Sequence, residues 1–595
     1  MCGISGIFCN FRSSDIISAY RMASSMYHRG PNHTGYFTDE YIALAHNRLS
    51  IIDLSEKAHQ PMFSDCARYI IVYNGEVFNF NELAQKYNLG RKSKSDTEVI
   101  LKLFILNGEN FVQELNGMFA FAIYDREKME LYLYRDRLGI KPLFYTQNQD
   151  YFVFGSELKS LVELPEVNRT LALNSDAISR YFHLGFVPSP LTIYQNVYKL
   201  EPGSMMKISI DTVLQKKWWS IDKQKLAELT INDEQQAIQE LDQLLNNSVK
   251  LRLISDVPIG TLLSGGIDSS LVSAIAAKHV SGQLNTFCIR FEYGKYNESE
   301  WARKISEHIG ANHHELTVTA REAIDFLPVM IRNYDEPFAD TSAIPTMLVS
   351  KMAAEHVTVT LSGDGGDELF HGYGAHLWAE RLNRGYVKPF KNIFGTILNL
   401  GDSRMQRASW LFQPNPNMQA HIFSQEQYLF SDFELTELLH TELQTPWSPQ
   451  SVPSLRKLSA AEEQAIYDTQ CYLPDDLLTK VDRASMLFSL ENRVPLLDYR
   501  IVEWALNVNP NLKIKDQRGK YLLRQLLSKY IPTELFDRPK QGFAVPLKEW
   551  MRDDLKATFM NYLSPESIKK YRTVNVEALE KLKDRVYNNK VTYLY

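Results

Sequence analysis

The apolar pattern of this chain changes character near residue 236, and that change limits the architectures open to it. Before about residue 200 the apolar runs are of strand length: 42–45 (IALA), 69–73 (YIIVY), 118–124 (MFAFAIY), 131–134 (LYLY) and 151–154 (YFVF). Asp125 to Lys128 fits a hairpin loop between two of them. The runs are apolar on both faces, so the predicted sheets need cover on both sides, and helical patterns at about 15–27 and 97–115 can supply it. A Pro202-Gly203 turn and a polar stretch over 220–235 separate this part from one where a long helical pattern, the strand-like IGTLL and the helical SSLVSAIAAKH follow each other. Alternating β and α elements imply a parallel sheet flanked by helices. The sequence therefore predicts an α+β part over 1–215, a linker over 216–235 and an α/β part over 236–595, with loosely connected helices at 380–455.

A length of 595 residues exceeds one ordinary core and agrees with more than one domain. The net charge of −6 offers no basic face for nucleic acid, and no run approaches the roughly 20 apolar residues of a membrane span. No secretory leader is legible at the start. The five cysteines (Cys2, Cys9, Cys66, Cys288, Cys471) are scattered without a CxxC pair, which suits a reducing cytoplasm rather than a disulfide scaffold or a thiolate zinc site. Neither a nucleic-acid nor a membrane partner is expected.

The chain begins MCGISGIF. A small second residue permits removal of Met1, which would leave Cys2 with a free α-amine beside its own thiol. Such an amine titrates near neutrality, roughly 7.7–8.0, and can act as general base for a neighbouring nucleophile.

Two glycine-rich turns follow strand-like runs in the second part. In Leu262 to Ser270 (LLSGGIDSS) a buried strand enters a Gly-Gly turn and then a serine-opened helix. Glycines let backbone approach a ligand, and the N–H groups of a helix start favour an anion. The turn is neither a Walker A motif nor GxGxxG. In Val357 to Glu368 (VTVTLSGDGGDE) a β-branched run again ends in a polar glycine turn. Ligands of open α/β sheets sit beyond the carboxyl ends of the strands, so both turns can face one site, with Asp268 and Asp367 placed to hold Mg²⁺. In the first part, Arg48 could bind a free amino acid's carboxylate and an acid its ammonium, and Asn74-Gly75 at a strand end could form an oxyanion hole. Taken singly, each also fits a structural role: Arg48 a surface charge, Asn74-Gly75 a turn, Asp96 a helix cap.

In order along the chain, CGISGIF, RLSIID, NGE and SDTEV resemble the glutaminase domain of class II, N-terminal-nucleophile glutamine amidotransferases. SGGIDSS, SGDGGDE, LPDDLLTKVDRASM, RVPLLD and GKYLLR resemble the synthetase domain of glutamine-hydrolysing asparagine synthetases. The resemblance implies a four-layer αββα N-terminal-nucleophile hydrolase domain followed by a parallel-sheet, ATP-pyrophosphatase-like domain with extra helices. It implies Cys2 as nucleophile, Asn74 and Gly75 as oxyanion hole, and Arg48, Leu49, Ser50, Ile51, Ile52, Glu76 and Asp96 around glutamine. For ATP it implies Leu263, the pyrophosphate loop Ser264, Gly265, Gly266, Ile267, Asp268 and Ser269, together with Ile289, Ser362 and Gly363. Asp268 and Asp367 would be magnesium ligands, and Lys520 would stabilise charge around the adenylate and pyrophosphate. The implied ligands are glutamine, ATP and aspartate, and a homodimer is expected because the family commonly dimerises.

One position departs from the pattern. Relatives usually read SGEG where this chain has Ser362-Gly363-Asp364-Gly365, and the Glu position is associated with ammonia addition at the acceptor carboxylate. Asp364 is one methylene shorter. YDEPFADTSAIPT (334–346) and Arg538 to Phe543 (RPKQGF) resemble members of surface-glycan pathways instead. The expectation is asparagine formation from aspartate, with amidation of a uronic-acid carboxylate as the alternative. A non-catalytic scaffold would show decayed motifs, and only Asp364 departs.

Overall fold

The computed structural model describes residues 1–9, 16–222, 225–291, 298–385, 387–401, 403–412, 418, 421–422, 428–444, 449–538, 547–552 and 555–587. Two six-stranded sheets fill the first part. One is ordered Val197–Lys199, Phe144–Gln147, Tyr151–Gly155, Gly3–Cys9, Ile42–Arg48 and His33–Thr38. The other is ordered Val213–Lys217, Ser204–Ile208, Glu130–Arg135, Gly117–Asp125, Tyr69–Val77 and Met62–Phe63. Within each sheet the pairings are antiparallel.

Strand alternation sorts the side chains into layers. Ile4 and Phe8 point to the second sheet, where they join Ile70, Val72, Ala120 and Ala122. Ile7 and Cys9 point the other way, to Ala19, Met22 and Ala23 of the helix Ile16–Ser25. On the far side, Ile71, Tyr73, Phe119 and Phe121 pack on Val99, Ile100 and Phe104 of the helix Asp96–Asn107. Helix, sheet, sheet, helix is the four-layer order that apolar residues on both strand faces require.

Each strand run expected in the first part lies within an observed strand, and Asp125 pairs with Glu130 across the expected hairpin. The helical pattern read over 97–115 divides: the α-helix ends at Gly108 (φ +64°), and a 3-10 segment, Gly108–Glu114, continues it.

The second part holds a five-stranded parallel sheet, ordered Asn312–Val318, Asn285–Phe291, Ile259–Leu262, Val359–Leu361 and Glu491–Arg493. The chain winds one way from the central strand and then the other, so the carboxyl ends of Ile259–Leu262 and Val359–Leu361 flank the switch point where open α/β sheets bind ligands. An uninterrupted π-helical segment, Asp468–Leu478, covers LPDD and carries Pro474 inside it. Pro lacks the N–H of an ordinary helical bond, and the wider winding accommodates that.

Candidate active sites

The first site forms where the central strand Gly3–Cys9 begins. A pocket with about 380 Å³ of open space is lined by Met1, Cys2, Arg48, Leu49, Ile51, Ile52, Tyr73, Gly75, Glu76 and Asp96 among others. Met1 is held in it, its ammonium donating to Glu491 Oε2 at 2.8 Å. The Cys2 backbone N–H donates to Asn74 Oδ1 at 3.0 Å. That bond fixes the amide, leaving Asn74 Nδ2 buried and without a hydrogen-bond partner among the described residues. Gly75 is required where it stands: its φ is +156°, and a Cβ would lie 2.2 Å from the Met118 carbonyl oxygen. Burial pushes the Cys2 thiol up, while the terminal amine, the Leu49 N–H and Arg48 pull it down.

Carboxylates and one cation line the opposite wall. Arg48 donates from Nη1 to the Ser55 carbonyl at 2.9 Å and from Nη2 to the Asp53 carbonyl, which sets the guanidinium at the pocket edge. Glu76 Oε1 is buried and unbonded among the described residues, an acceptor facing the pocket. Burial, then the neighbouring Asp96, raise Glu76 well above the usual carboxylate range. Asp96 accepts from the Tyr73 hydroxyl at 2.7 Å and the Val77 N–H at 2.9 Å. Ser50 does not line the pocket; its N–H is bonded to Asn32.

Sequence reasoning missed Glu491 in this pocket. It lies some four hundred residues beyond the rest of the lining, and RVPLLD, the motif that begins two residues later, belongs to the other half.

The second site gathers at the switch point. Gly265 takes φ +76°, and its missing Cβ makes room for Trp301 and the Ala302 N–H. Ser264 and Ser269 hydroxyls meet at 3.0 Å across the turn, and the helix Ile267–His279 starts there with Gly266 as its cap. Lys520 Nζ contacts Asp268 Oδ2 and stands 2.8 Å from Asp367 Oδ1. Burial opposes its charge, but Asp268 and Asp367 lift the Lys520 pKa above the ordinary value. Glycines clear this space: a Cβ on Gly366 would strike Asp268 at 2.5 Å, and one on Gly372 would strike Asp367 and Lys520. Leu263 and Ile289 are buried in apolar clusters.

The convergence of Asp268 and Asp367 on one ammonium tests the site for a divalent cation. Two carboxylate oxygens close to one point suit Mg²⁺ with phosphate oxygens completing its shell. Among the described residues no group of three or more His, Cys, Asp or Glu gathers around a metal position; Asp268 and Asp367 are the pair that would hold the ion.

Asp364 is held against the turn, its Oδ2 accepting from the Ser362 hydroxyl at 2.5 Å, while Asn492 Nδ2 donates to that same hydroxyl at 2.9 Å. Polar groups that the sequence did not single out adjoin it. Lys480 is paired with Asp340 at 2.7 Å, and buried Glu368 accepts from the Tyr373 hydroxyl. Burial, then Asp367, push Glu368 up to about 8. The motifs that contain these residues were legible, but nothing in them marks which charges turn inward. Pro539 to Phe543 of the RPKQGF motif lie outside the described residues.

The two sites are joined by buried charge. Arg29 donates to the Cys2 carbonyl at 3.0 Å, to Glu157 at 2.8 Å and to Asp482 at 2.8 Å, and Arg483 meets Glu157 at 2.9 Å. A second cavity, with about 430 Å³ of open space, lies at this junction among Arg135, Ile140, Lys199, Glu336, Asp475 and Asp482.

Comparison with known proteins agrees with this pairing of sites. The family model for a glutamine amidotransferase domain matches residues 1–219, and the one for asparagine synthase matches residues 240–592. The putative asparagine synthetase (glutamine-hydrolysing) 2 of Methanocaldococcus jannaschii is 37% identical over 519 residues, covering 82% of this chain and 98% of the relative. Asparagine synthetase (glutamine-hydrolysing) 1 of Bacillus subtilis is 31% identical over 593 residues, covering 96% of this chain and 91% of the relative. Asparagine synthetase B of Escherichia coli is 26% identical over 603 residues, covering 96% and 87%. With matches that together span nearly its whole length, the chain belongs to the glutamine-hydrolysing asparagine synthetase family, a family of carbon–nitrogen ligases that carry their own glutamine amidotransferase domain.

Proposed function

We propose that this enzyme hydrolyses glutamine at Cys2 and delivers the ammonia to an acyl-adenylate made from ATP and aspartate, giving asparagine, glutamate, AMP and pyrophosphate. The observation that carries the first half is Asn74: its Oδ1 holds the Cys2 N–H, which leaves a buried, unpaired Nδ2 beside the nucleophile. Removal of Met1 empties part of the pocket and turns the Cys2 nitrogen into the free amine that takes the thiol proton. Asn74 Nδ2 and the Gly75 N–H then stabilise the oxyanion, and water hydrolyses the thioester. Arg48 receives the glutamine carboxylate, and Glu76 and Asp96 its ammonium.

In the second half, Ser264 to Ser269 hold the pyrophosphate, with Leu263, Ile289, Ser362 and Gly363 around the nucleotide. Asp268 and Asp367 would hold Mg²⁺, which offsets phosphate charge when bound. Lys520, already between those carboxylates, neutralises charge as pyrophosphate leaves. This reading divides the chain into a glutaminase domain (1–215), a linker (216–235) and a ligase domain (236–595), working as a homodimer in the cytoplasm.

One observation favours a second acceptor. Asp364 is one methylene shorter than the usual Glu and is held by the Ser362 hydroxyl, a departure that favours a different acceptor carboxylate, that of a uronate. The test offers purified protein glutamine, ATP and Mg²⁺ with either aspartate or a nucleotide-linked uronate and measures pyrophosphate release. Stimulation by aspartate supports asparagine formation, and stimulation by the uronate alone replaces it with the second reading.

A further inference from the structure

Glu491 stands in the glutaminase pocket but belongs to the ligase half, and its place is fixed from that side. Its N–H donates to the Thr358 carbonyl at 2.9 Å, which ties it into the parallel sheet opposite Val359. Its Oε1 accepts from Arg493 Nε at 2.6 Å, and Arg493 is itself anchored by bonds to the Arg252 and Ile254 carbonyls at 2.7 Å. The other oxygen, Oε2, meets the Met1 ammonium at 2.8 Å, with both groups at most 1% exposed. Burial opposes the charge of this carboxyl, but the terminal ammonium and Arg493 hold it down at about 2.

Removal of Met1 takes that ammonium away and moves the chain's terminal charge one residue along. Backbone bond lengths keep consecutive nitrogens no more than about 3.7 Å apart, so the Cys2 nitrogen stands within about 6.5 Å of Glu491 Oε2. The other cations around the terminus are already engaged. Arg48 donates to two carbonyls, Arg29 is shared by Glu157 and Asp482, Lys141 faces Asp482 at 3.5 Å, and Arg493 spans Glu491 and Glu76. Burial lowers the His46 pKa to about 3, which keeps that ring neutral. Glu76 and Asp96 line the side of the pocket assigned to glutamine. The amine newly made on Cys2 is the group left to face Glu491 Oε2.

We propose that Glu491 is a positioning residue for glutamine hydrolysis, the counter-ion that the ligase half supplies to the Cys2 α-amine. The inference rests on the reading that this amine is the general base. In that step the amine takes the proton from Sγ, and the thiolate forms the thioester with the amide carbon. The resulting ammonium passes the proton to the departing nitrogen, which leaves as ammonia. Asn74 Oδ1, which holds the Cys2 N–H at 3.0 Å, orients the amine, and Glu491 stabilises the ammonium through which the proton passes. The glutaminase site is thereby completed by a residue from the half that uses the nitrogen.

Glutamate release by the full-length wild type and Glu491→Gln, followed from about pH 5.5 to about pH 9.5, tests this. The acid limb of kcat/KM, where the amine loses its proton, should move down by about 1–2 pH units in the variant, because no carboxylate then favours the ammonium. At the plateau kcat should fall on the order of 10-fold through the weaker base, with the glutamine KM changed less than about 2-fold. Glu491→Asp, which draws the carboxylate back by one methylene, should shift the limb the same way by a smaller step. Should Glu491→Gln fail to fold, as judged by its melting curve, Glu491→Asp carries the test on the same limb. An unmoved acid limb in the folded variant overturns the proposal, and a KM raised about 10-fold with the limb unmoved assigns Glu491 to the glutamine ammonium instead. Intact mass reports separately on the base: Met1 retained in fully active protein removes the underlying reading, whereas Met1 absent with an unmoved limb removes only the role of Glu491.

Discussion

Asn492 and Arg493 are neighbours in one strand and serve different sites. Asn492 donates to the Ser362 hydroxyl in the glycine turn of the ligase half, whereas Arg493 holds Glu491 at 2.6 Å and Glu76 at 3.5 Å in the glutaminase pocket. Strand alternation sends them to opposite faces, so a shift of this short strand is felt at both ends. Asn492→Ala should lower amide formation on the order of 10-fold while glutamine hydrolysis persists, read by separate assays of glutamate and pyrophosphate. Arg493→Met strands two buried carboxylates and should cost about 3–5 kcal/mol in denaturant unfolding.

Cys2→Ala should remove glutamine-supported synthesis by about 10³-fold or more and leave ammonium-supported synthesis in place. Asn74→Ala should cost glutamine hydrolysis about 10²–10³-fold through loss of one oxyanion donor. Intact mass should show Met1 absent from the active protein; retained Met1 with full glutaminase activity would falsify the assignment of the Cys2 amine as base.

Lys520→Met leaves Asp268 and Asp367 facing each other without their ammonium. Pyrophosphate release should fall about 10²–10³-fold with glutaminase activity retained. A variant that loses both activities equally would point to collapse of the fold instead, which a melting curve distinguishes.

Glu368 gives a pH dependence with a definite sign. Its folded pKa is raised by burial to about 8, against an ordinary value of roughly 4.3. Between those values the folded chain binds the extra proton, so this group's contribution to stability is greatest at low pH and is lost as pH rises through the window. Glu368→Gln should match the wild type in melting temperature near the acid end and become relatively more stable toward the alkaline end. A constant difference across the window would show that Glu368 is not the group responsible.

Much of this architecture was legible because strand-length apolar runs and strand–glycine–helix turns are local signals. Tyr69–Val77 and Val359–Leu361 were readable from their own side chains. Val213–Lys217 was not, since all five residues are exposed and it forms only as an edge on Ser204–Ile208. Cys2, Asn74, Gly75, Glu76 and Asp96 could be nominated from motifs, and they do gather at one pocket. Glu491, Arg29 and Asp482 could not, because their pairing depends on how two distant halves of the chain dock. Periodicity carries no information about a partner hundreds of positions away.

The ion cluster at that junction bears on how the protein is made. Arg29 leaves the ribosome 453 residues ahead of Asp482, one of the two carboxylates that neutralise it in the finished molecule. At about 5–20 residues per second, the interval is on the order of half a minute or more. During synthesis the nascent amino-terminal half therefore keeps this guanidinium, which reaches the Cys2 carbonyl, without its distal counter-ion. The surroundings of Cys2 take their final form only once Asp482 and Glu491 have been made, so the shape of this pocket depends on the carboxyl-terminal half.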